Sequence, residues 1–414
     1  MSRLPLAGFL TAHTISATGS RLTLVALPWL VLSTTGSATR TGVVAFAELS
    51  LYVAAGAFGA PLVDRFGRRR VAVGAQLFSA AAIACVPLLY DGGNLHFGVL
   101  LGIVALAGLA QGFASSADRV LLPEMIEASG ASMERSLSVY DGVDRLAGLL
   151  GAPLAGLLIV WMGAAHVLWL DALSFALSAV ILAYATRSAA TPSTSEREPY
   201  LRALRTGAKF LFTDRLLMNL CLMLIFTNMA AQAFTVVFVP VWIRDSIGDP
   251  AALGTISAAF GVAAVCGNVL FTWLGPRLPR RWTFAICFLI AGSPRFFAMA
   301  ATDDLVAVLI VSFGSGLATA ALNPIISAVS YARIPSELQA RVLSLTGALS
   351  WLGIPVGALL GGLAVSGFGP TGALLVGGTV YLAATILPFA QRIWRDMDRP
   401  STKEPERRLA GTAA

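Results

Sequence analysis

Charged residues are scarce in this sequence. Of its 414 residues, 12% are Asp, Glu, Lys or Arg, whereas 57% are hydrophobic. A soluble domain carries roughly 25% charged residues, so the composition excludes an ordinary soluble protein. The hydrophobic residues form continuous runs of about twenty, long enough to cross a bilayer as helices. Membrane strands would instead alternate apolar and polar residues over segments of roughly ten. The predicted fold class is an all-α membrane protein.

Residues that carry catalytic chemistry are scarce as well. The four cysteines lie inside apolar runs, the three histidines are isolated, and neither type has the spacing of a metal site. The sequence also lacks a nucleotide-binding P-loop, an HExxH helix and a GxSxG turn. These absences argue against an enzyme or an ATP-driven pump, and we expect no cofactor and no metal.

The apolar runs predict twelve transmembrane helices, each of about 20 residues or more. The expected spans are 7–33, 40–63, 71–90, 96–121, 136–162, 166–186, 216–243, 251–275, 282–301, 304–330, 341–366 and 370–391. Basic residues concentrate in alternate links between them, and the opposite links hold none, with Arg40 and Arg244 at helix ends. The positive-inside rule then places both termini and residues 187–215 in the cytoplasm. We expect a multi-pass protein of the inner membrane.

A linker and an internal repeat divide the chain into two halves. Residues 188–199, "SAATPSTSEREP", read as a flexible linker, and "YLRALRTGAKFLF" after them has the pattern of a surface helix. The segment from Arg135 resembles the one from Arg341 at a fixed offset, a pattern typical of transporters that rock one half against the other. The expected domains are a six-helix bundle at 1–187, a cytoplasmic linker with a short amphipathic helix at 188–215, a second six-helix bundle at 216–391, and a disordered tail at 392–414.

The segment "APLVDRFGRRR", residues 60–70, resembles the loop signature of the major facilitator superfamily between crossings two and three. The matching residues include those of the expected gating loop: Asp64, Arg65, Gly67, Arg68 and Arg69. The resemblance implies that Asp64 acts as a latch, pairing with arginines and with a helix end of the opposite half. A carboxylate is stabilised in such a place. The alternative is that the loop only determines topology.

The fifth crossing contains "GLLGAPLAG", which resembles the glycine-rich helix of efflux antiporters at Gly148, Gly151, Pro153 and Gly156. The segments "ALPWLVLSTTGSATRTGVV", "LLPEMI" and "LDALSFALSAVIL" are similar to the third branch of the drug:proton antiporters, and within it to the Tap-like multidrug efflux pumps. Where many proton-coupled relatives carry an arginine in crossing four, this chain has Gly108.

Ionisable residues at membrane depth are costly and should face the bundle interior. On crossing five, Asp141 and Arg145 are four residues apart and can pair, which leaves Asp144 without a partner on its own helix. We predict that Asp144 and Glu48 couple transport to protons. Asp171 is expected to form a hydrogen bond at a helix interface.

Polar and aromatic residues in the crossings are candidates for lining a substrate cavity. Arg21 shares a polar face with Thr18, and it is either the partner of Glu48 in a structural pair or part of the transport site. The cavity candidates are Arg21, Thr18, Asn228, Gln232, Asn323 and Trp351.

The predicted function is export of amphipathic small molecules or drugs by alternating access in exchange for protons, with antibiotic resistance as its expected consequence. The alternatives are an importer or a lipid or metabolite transporter on the same fold, and a non-transporting membrane sensor. The expected partners are a small-molecule substrate, protons and membrane lipids, with no nucleic acid, and the chain is expected to act as a monomer.

Overall fold

The computed structural model describes residues 4–186, 200–335 and 338–398, without the side chains of Ala60, Pro61, Asp64, 200–205, Pro276 and Ala340. Within these ranges every regular element is helical. The helices are α1 (Leu4–Thr35), α2 (Ala38–Phe58), α3 (Ala60–Phe66), α4 (Arg68–Asp91), α5 (Phe97–Ser129), α6 (Met133–Met162), α7 (Ala164–Ala185), α8 (Tyr200–Thr213), α9 (Arg215–Ala233), α10 (Val239–Trp242), α11 (Ala251–Leu274), α12 (Arg280–Ala291), α13 (Ser293–Ala301), α14 (Leu305–Thr319), α15 (Leu322–Arg333) and α16 (Gln339–Ala390).

Eleven helical stretches in the described ranges are long and apolar enough to cross a membrane, which confirms a multi-pass membrane protein. Helices suit this environment because each backbone N–H and C=O finds a partner within its own segment. The first ten stretches follow the first ten predicted crossings one by one. Short π-helical turns, Phe234–Phe238 and Ile243–Ile247, flank α10 within the seventh stretch.

The eleventh stretch, Arg341–Ala390, takes in both of the last two predicted crossings. Its 50 residues would span about 75 Å as a straight helix, more than twice the thickness of the hydrocarbon core. The helix is broken at Gly369, which has φ 73° and ψ 170°. Only glycine adopts this backbone conformation readily, and the following Pro370 disfavours a helical residue before it. Gly369 therefore divides α16 into two arms.

The helices pack as two bundles, α1 to α7 and α9 to α16. Between the bundles, α2 lies against α16 and α6 lies against α11. Because α6 and the first arm of α16 carry the repeated sequence, these two interfaces occupy equivalent places in a pseudo-two-fold arrangement. The main core cluster includes buried residues of both bundles, such as Leu30 of α1 and Phe296 of α13.

Successive crossings alternate in direction, so the bundles have two distinct ends. The α3–α4 link, α8 and the start of α16 lie at one end, called here the arginine-rich end. The α1–α2 and α6–α7 links lie at the opposite end, called here the far end. At the far end, Thr39 donates a hydrogen bond to the carbonyl of Gly362 at 3.3 Å and bonds to the hydroxyl of Ser366. Arg244 donates to the carbonyl of Gly36 at 3.1 Å. These contacts join the bundles at the far end.

The residues that follow α16 differ from the sequence prediction. Arg392–Met397, assigned to a disordered tail, form 3-10 turns that pack against the second bundle. Trp394 is fully buried and stacks on Phe284, with ring centres 5.8 Å apart. The backbone N–H of Arg281 also donates to Asp398 at 3.1 Å. Burial of one tryptophan accounts for this order. The remaining tail residues, 399–414, and the linker residues 188–199 lie outside the described ranges, whereas α8 occupies the place of the predicted surface helix.

Candidate transport site

A cavity of about 560 Å³ lies between the two bundles, at the middle of the crossing helices. Its walls come from α1 and α6 of the first bundle and from α9, α10, α11, α13 and α14 of the second. The lining is largely apolar, and its uncharged polar residues are Thr235, Ser257, Asn268 and Ser312. A volume of this size and character suits a drug-sized molecule.

The charged residues of the cavity are all arginines. Arg21, Arg145 and Arg295 line it, and no aspartate or glutamate does. The guanidinium carbon of Arg295 lies 4.9 Å from the ring centre of Phe234 and 4.8 Å from that of Phe260. The Nε atom of Arg295 is buried and has no hydrogen-bond partner in the described part of the chain. The cavity therefore combines positive charge with aromatic and aliphatic walls.

Glycines of α6 determine how closely Arg21 approaches. Gly151 lies directly against Cβ and Cγ of Arg21, and a side chain at that position would overlap them. At Gly148, an added Cβ would lie 4.0 Å from the guanidinium carbon of Arg21. Small residues on one face of α6 thus let α1 pack closely, as small residues do between membrane helices. Within the described ranges no ion pair joins Arg21 to Glu48.

Glu48 lies where α2 crosses α5. Gly108 faces its backbone, and a Cβ added at Gly108 would lie 2.9 Å from the carbonyl carbon of Glu48. This close crossing explains why the position holds glycine, because an arginine would force the two helices apart. Glu48 is half-buried and forms no hydrogen bond or ion pair within the parts of the chain that the structure describes.

The structure also brings together three titratable side chains near the arginine-rich end of the first bundle. Nε2 of His13 lies 3.2 Å from Oδ1 of Asp144, and Nδ1 of His13 lies 3.9 Å from Oδ2 of Asp118. The imidazole stacks on Tyr140, with ring centres 4.0 Å apart. His13 comes from α1, Asp118 from α5 and Asp144 from α6. We call these three residues the His13 cluster.

Asp171 forms the helix-interface hydrogen bond that the sequence predicted. Its side chain is 0% exposed, and Thr23 of α1 donates to its Oδ2 at 2.5 Å. Ser174 donates to its Oδ1 at 3.2 Å. Gly19 of α1 faces the same two α7 residues, and a Cβ at that position would lie 2.5 Å from Oδ1 of Asp171. The carboxyl group therefore links α1 to α7.

The arginines of the α3–α4 link bind their own bundle. Gly67 has φ 91°, a value that favours glycine, and separates α3 from α4. Arg68 forms an ion pair with Glu124 of α5, and Arg69 donates to the carbonyl of Ala183 in the last turn of α7 at 2.8 Å. A cation is stabilised at a helix C-terminus. These contacts hold the start of α4 against α5 and α7.

Arg65 lies over the ring of Phe66, with its guanidinium carbon 5.8 Å from the ring centre. The side chain of Asp64 lies outside the described residues, so its proposed latch role is a prediction.

The predicted antiporter-type helix forms the interface between α6 and α11. A Cβ added at Gly156 would lie 2.6 Å from the backbone nitrogen of Gly254, and one added at Gly254 would lie 2.9 Å from the carbonyl oxygen of Pro153. Two backbones therefore touch here without side chains between them. Leu149, nearer the middle of α6, packs on Gly261 of α11.

Comparison with known families agrees with this architecture. The profile described as the Major Facilitator Superfamily matches residues 9–248 and 220–413. The chain belongs to the major facilitator superfamily. It is a membrane transporter and not an enzyme.

Two relatives and two solved structures resemble this superfamily member over most of its length. The multidrug efflux pump Tap of Mycobacterium tuberculosis is 29% identical over 358 residues, 85% of each chain. That of Mycolicibacterium fortuitum is 29% identical over 371 residues, 87% of this chain and 89% of the relative. The nucleoside transporter NupG covers 94% of this chain at 11% identity and TM-score 0.71, with 99% of NupG matched. A bacterial homologue of the human lysosomal transporter Spinster covers 94% at 15% identity and TM-score 0.72, with 96% of that chain matched.

The remaining predicted cavity residues of this transporter lie outside the cavity lining. Thr18 donates to the carbonyl of Thr14 at 2.8 Å within α1, and Asn228 donates to the carbonyl of Ser350 at 3.0 Å. Gln232 is half-buried, one residue away from the lining residue Ala231. Asn323 and Trp351 are exposed. Their roles in transport remain predictions.

Sequence reasoning does not find the role of His13, which stands isolated from other metal-ligating or titratable partners along its own helix. Its partners stand on two other helices, so no spacing along the chain marks the cluster. The predicted pair of Asp141 with Arg145 is not among the ion pairs of the described residues. Asp144 finds its partner on α1 instead. The available signal was a histidine within an apolar crossing, since an ionisable group in the membrane is costly unless partnered.

Proposed function

We propose that this transporter exports amphipathic small molecules across the inner membrane by alternating access, in exchange for protons. The observation that carries the proposal is the central cavity, which takes its walls from both bundles while the bundles are joined at one end. A cavity shared by two pseudo-symmetric halves is the arrangement in which rocking exposes one site to each side in turn. The Tap relatives are multidrug efflux pumps by name, which supports the export of drugs.

We further propose twelve crossings, with both termini and the arginine-rich end in the cytoplasm. The break at Gly369 supports the count, because each arm of α16 then has a length suited to one crossing. The arginines of the α3–α4 link support the orientation by the positive-inside rule. In this orientation the far-end contacts close the cavity on the outside. Residues 1–187 and 216–391 are then the two moving domains, and residues 188–215 are the linker between them. Because one chain contains both domains, we propose that the transporter acts as a monomer in the membrane.

The proposed coupling residues are Glu48 and Asp144. Asp144 shares the His13 cluster with Asp118, so a proton can move between an imidazole and two carboxylates within one bundle. Rocking of the two bundles would expose this cluster to one side of the membrane and then to the other, so that the proton is taken up on one side and released on the other.

Transport by the purified protein in liposomes tests the proposal. A pH gradient is imposed, and a panel of fluorescent dyes and antibiotics is followed across the membrane. We expect substrate to move against the direction of proton flow, and an ionophore that collapses the gradient to stop it. Movement together with protons would indicate an importer, and absence of movement for every compound would remove the proposed function.

A further inference from the structure

We infer that the cargo of this cavity is an anionic amphiphile, with a carboxylate, sulfonate or phosphate on an apolar or aromatic body. This inference rests on the proposed function, because it names the substrate class of the same site. The balance of charge in the cavity supports it. Three arginines are among the lining residues of the cavity, and no acidic residue is among them.

The cavity arginines form no ion pair with acidic side chains of the described residues, although Asp144 lies close enough to Arg21 to interact with its charge. Among the described residues, the ion pairs include none of Arg21, Arg145 and Arg295. Asp144 precedes Arg145, but its Oδ1 is engaged by His13 at 3.2 Å. Guanidinium groups keep their charge in proteins, and an uncompensated charge at membrane depth is costly. An anionic ligand would supply the missing compensation.

Arg295 has the geometry of an anion-binding group. Phe234 and Phe260 lie within 5 Å of its guanidinium carbon, and its buried Nε has no partner in the described ranges. Aromatic contacts leave the hydrogen-bonding edge of a guanidinium available, and that edge matches a carboxylate or phosphate. The same two rings offer an apolar surface to the body of the ligand.

The arginines also come from both moving domains. Arg21 and Arg145 belong to the first bundle, and Arg295 belongs to the second. An anion inside the cavity therefore interacts with both halves at once. Thr235, Ser257 and Asn268 add neutral hydrogen-bonding groups, so orientation does not depend on charge alone.

Equilibrium binding of two matched dyes tests the inference. Fluorescein is an anionic xanthene, and tetramethylrhodamine ethyl ester is a cationic xanthene of similar size. Binding is measured by fluorescence anisotropy with the full chain in nanodiscs of neutral lipid, against nanodiscs without protein. We expect saturable binding of fluorescein and weaker binding of the cationic dye. Charge-removing variants, Arg21→Gln and Arg295→Gln, should each weaken fluorescein binding about tenfold or more, the usual effect of losing one charge-assisted hydrogen bond.

Two further variants make the result decisive. Arg295→Lys keeps the charge and should retain more fluorescein binding than Arg295→Gln. Arg40→Gln removes an exposed arginine outside the cavity, one that lies over Phe97 at the far end, and should bind like the parent protein. Three outcomes would overturn the inference. They are equal or tighter binding of the cationic dye, absence of saturable fluorescein binding, and fluorescein binding that is unchanged in the two Gln variants.

Because binding is measured without a gradient, its outcome is separate from that of the transport proposal. Suppose that fluorescein binding depends on the arginines but that no compound moves in response to a pH gradient in liposomes. This result would contradict proton-driven export and would still support an anionic ligand. If only cationic compounds were exported in response to the gradient, the transport proposal would be supported and the anionic ligand class would be contradicted.

Discussion

At the scale of single residues, Asp144 is the strongest candidate for proton coupling, because the structure gives it a titratable partner on another helix. The substitution Asp144→Asn removes the titrating carboxylate but keeps the size of the side chain. We expect this variant to lose dye transport driven by a pH gradient. Exchange of labelled for unlabelled dye, measured with equal dye concentrations on both sides of the membrane, should be unchanged. Liposome assays with and without the gradient measure both activities. His13→Gln should have the same two effects.

Asp141→Asn is the matched control, since Asp141 is an exposed acid three residues earlier on α6. It should transport normally in both assays. The coupling role is disproved if Asp144→Asn still concentrates dye against its gradient, or if Asp141→Asn fails in the same way. Glu48→Gln tests the second predicted coupling residue in the same experiment.

Thr23 provides a stability prediction at the α1–α7 interface. The variant Thr23→Val keeps the shape of the side chain but removes the hydroxyl that donates to the buried Asp171 at 2.5 Å. Leaving a buried polar group without its partner costs about 1–3 kcal/mol. We therefore expect a lower thermal unfolding temperature in detergent, with Thr23→Ser close to the parent protein. Equal unfolding temperatures for the Val and Ser variants would show that this hydrogen bond contributes little.

Single residues also show where sequence reasoning stops. A carboxylate inside an apolar crossing must find a partner, so the hydrogen bonding of Asp171 could be predicted, although its partner Thr23 could not. Arg21 could be named as a cavity candidate because it keeps its charge, but the sequence could not decide between a place in the cavity and a structural pair with Glu48. The partner of Asp144 could not be assigned, since His13 lies far away in sequence and meets it only through the packing of α1 on α6.

At the scale of elements, the α6–α11 crossing depends on the absence of side chains at two glycines. Gly156→Ala would bring a Cβ to within 2.6 Å of the nitrogen of Gly254, closer than such atoms approach, so the helices must separate at the far end. We expect transport to fall by about tenfold or more, the effect of roughly 1.4 kcal/mol, while the amount of folded protein stays the same. Transport rate per molecule in liposomes is the measurement.

Gly142→Ala is the control on the same helix, because outside the backbone of α6 itself and its two chain neighbours no atom of the described residues lies within 4 Å of the place its Cβ would occupy. Alanine should be tolerated there, because its helix propensity is higher than that of glycine. If both variants transported equally well, close packing at Gly156 would have no part in the cycle.

Most elements could be predicted from the sequence, because runs of apolar residues determine crossing helices almost directly. The small-residue stripe on α6 was also visible, since glycines at helical spacing place it on one face. The sequence could not predict where the last helix ends or that two crossings share one helix. α16 runs through two predicted crossings with only Gly369 to interrupt it, and Trp394 orders residues that polar composition assigned to a tail. Both outcomes depend on packing between distant segments.

At the scale of the whole molecule, the far-end contacts predict that the bundles must separate there during the cycle. Thr39 of α2 and Ser366 of α16 contribute hydroxyls that bond to each other, so cysteines at these two positions should form a disulfide across the bundles. The double variant is made with Cys85, Cys221, Cys266 and Cys287 replaced by alanine.

A chain oxidised at these two positions is held shut at the far end, and alternating access then cannot proceed. We expect oxidation to stop transport of the double variant in liposomes and a reducing agent to restore it. Each single cysteine variant should be unaffected by either treatment. The cross-link itself is followed by a change in electrophoretic mobility after cleavage in the linker. Full transport by molecules that are demonstrably cross-linked would mean that the far end stays closed throughout, and two bundles rocking about the central cavity could no longer be the mechanism.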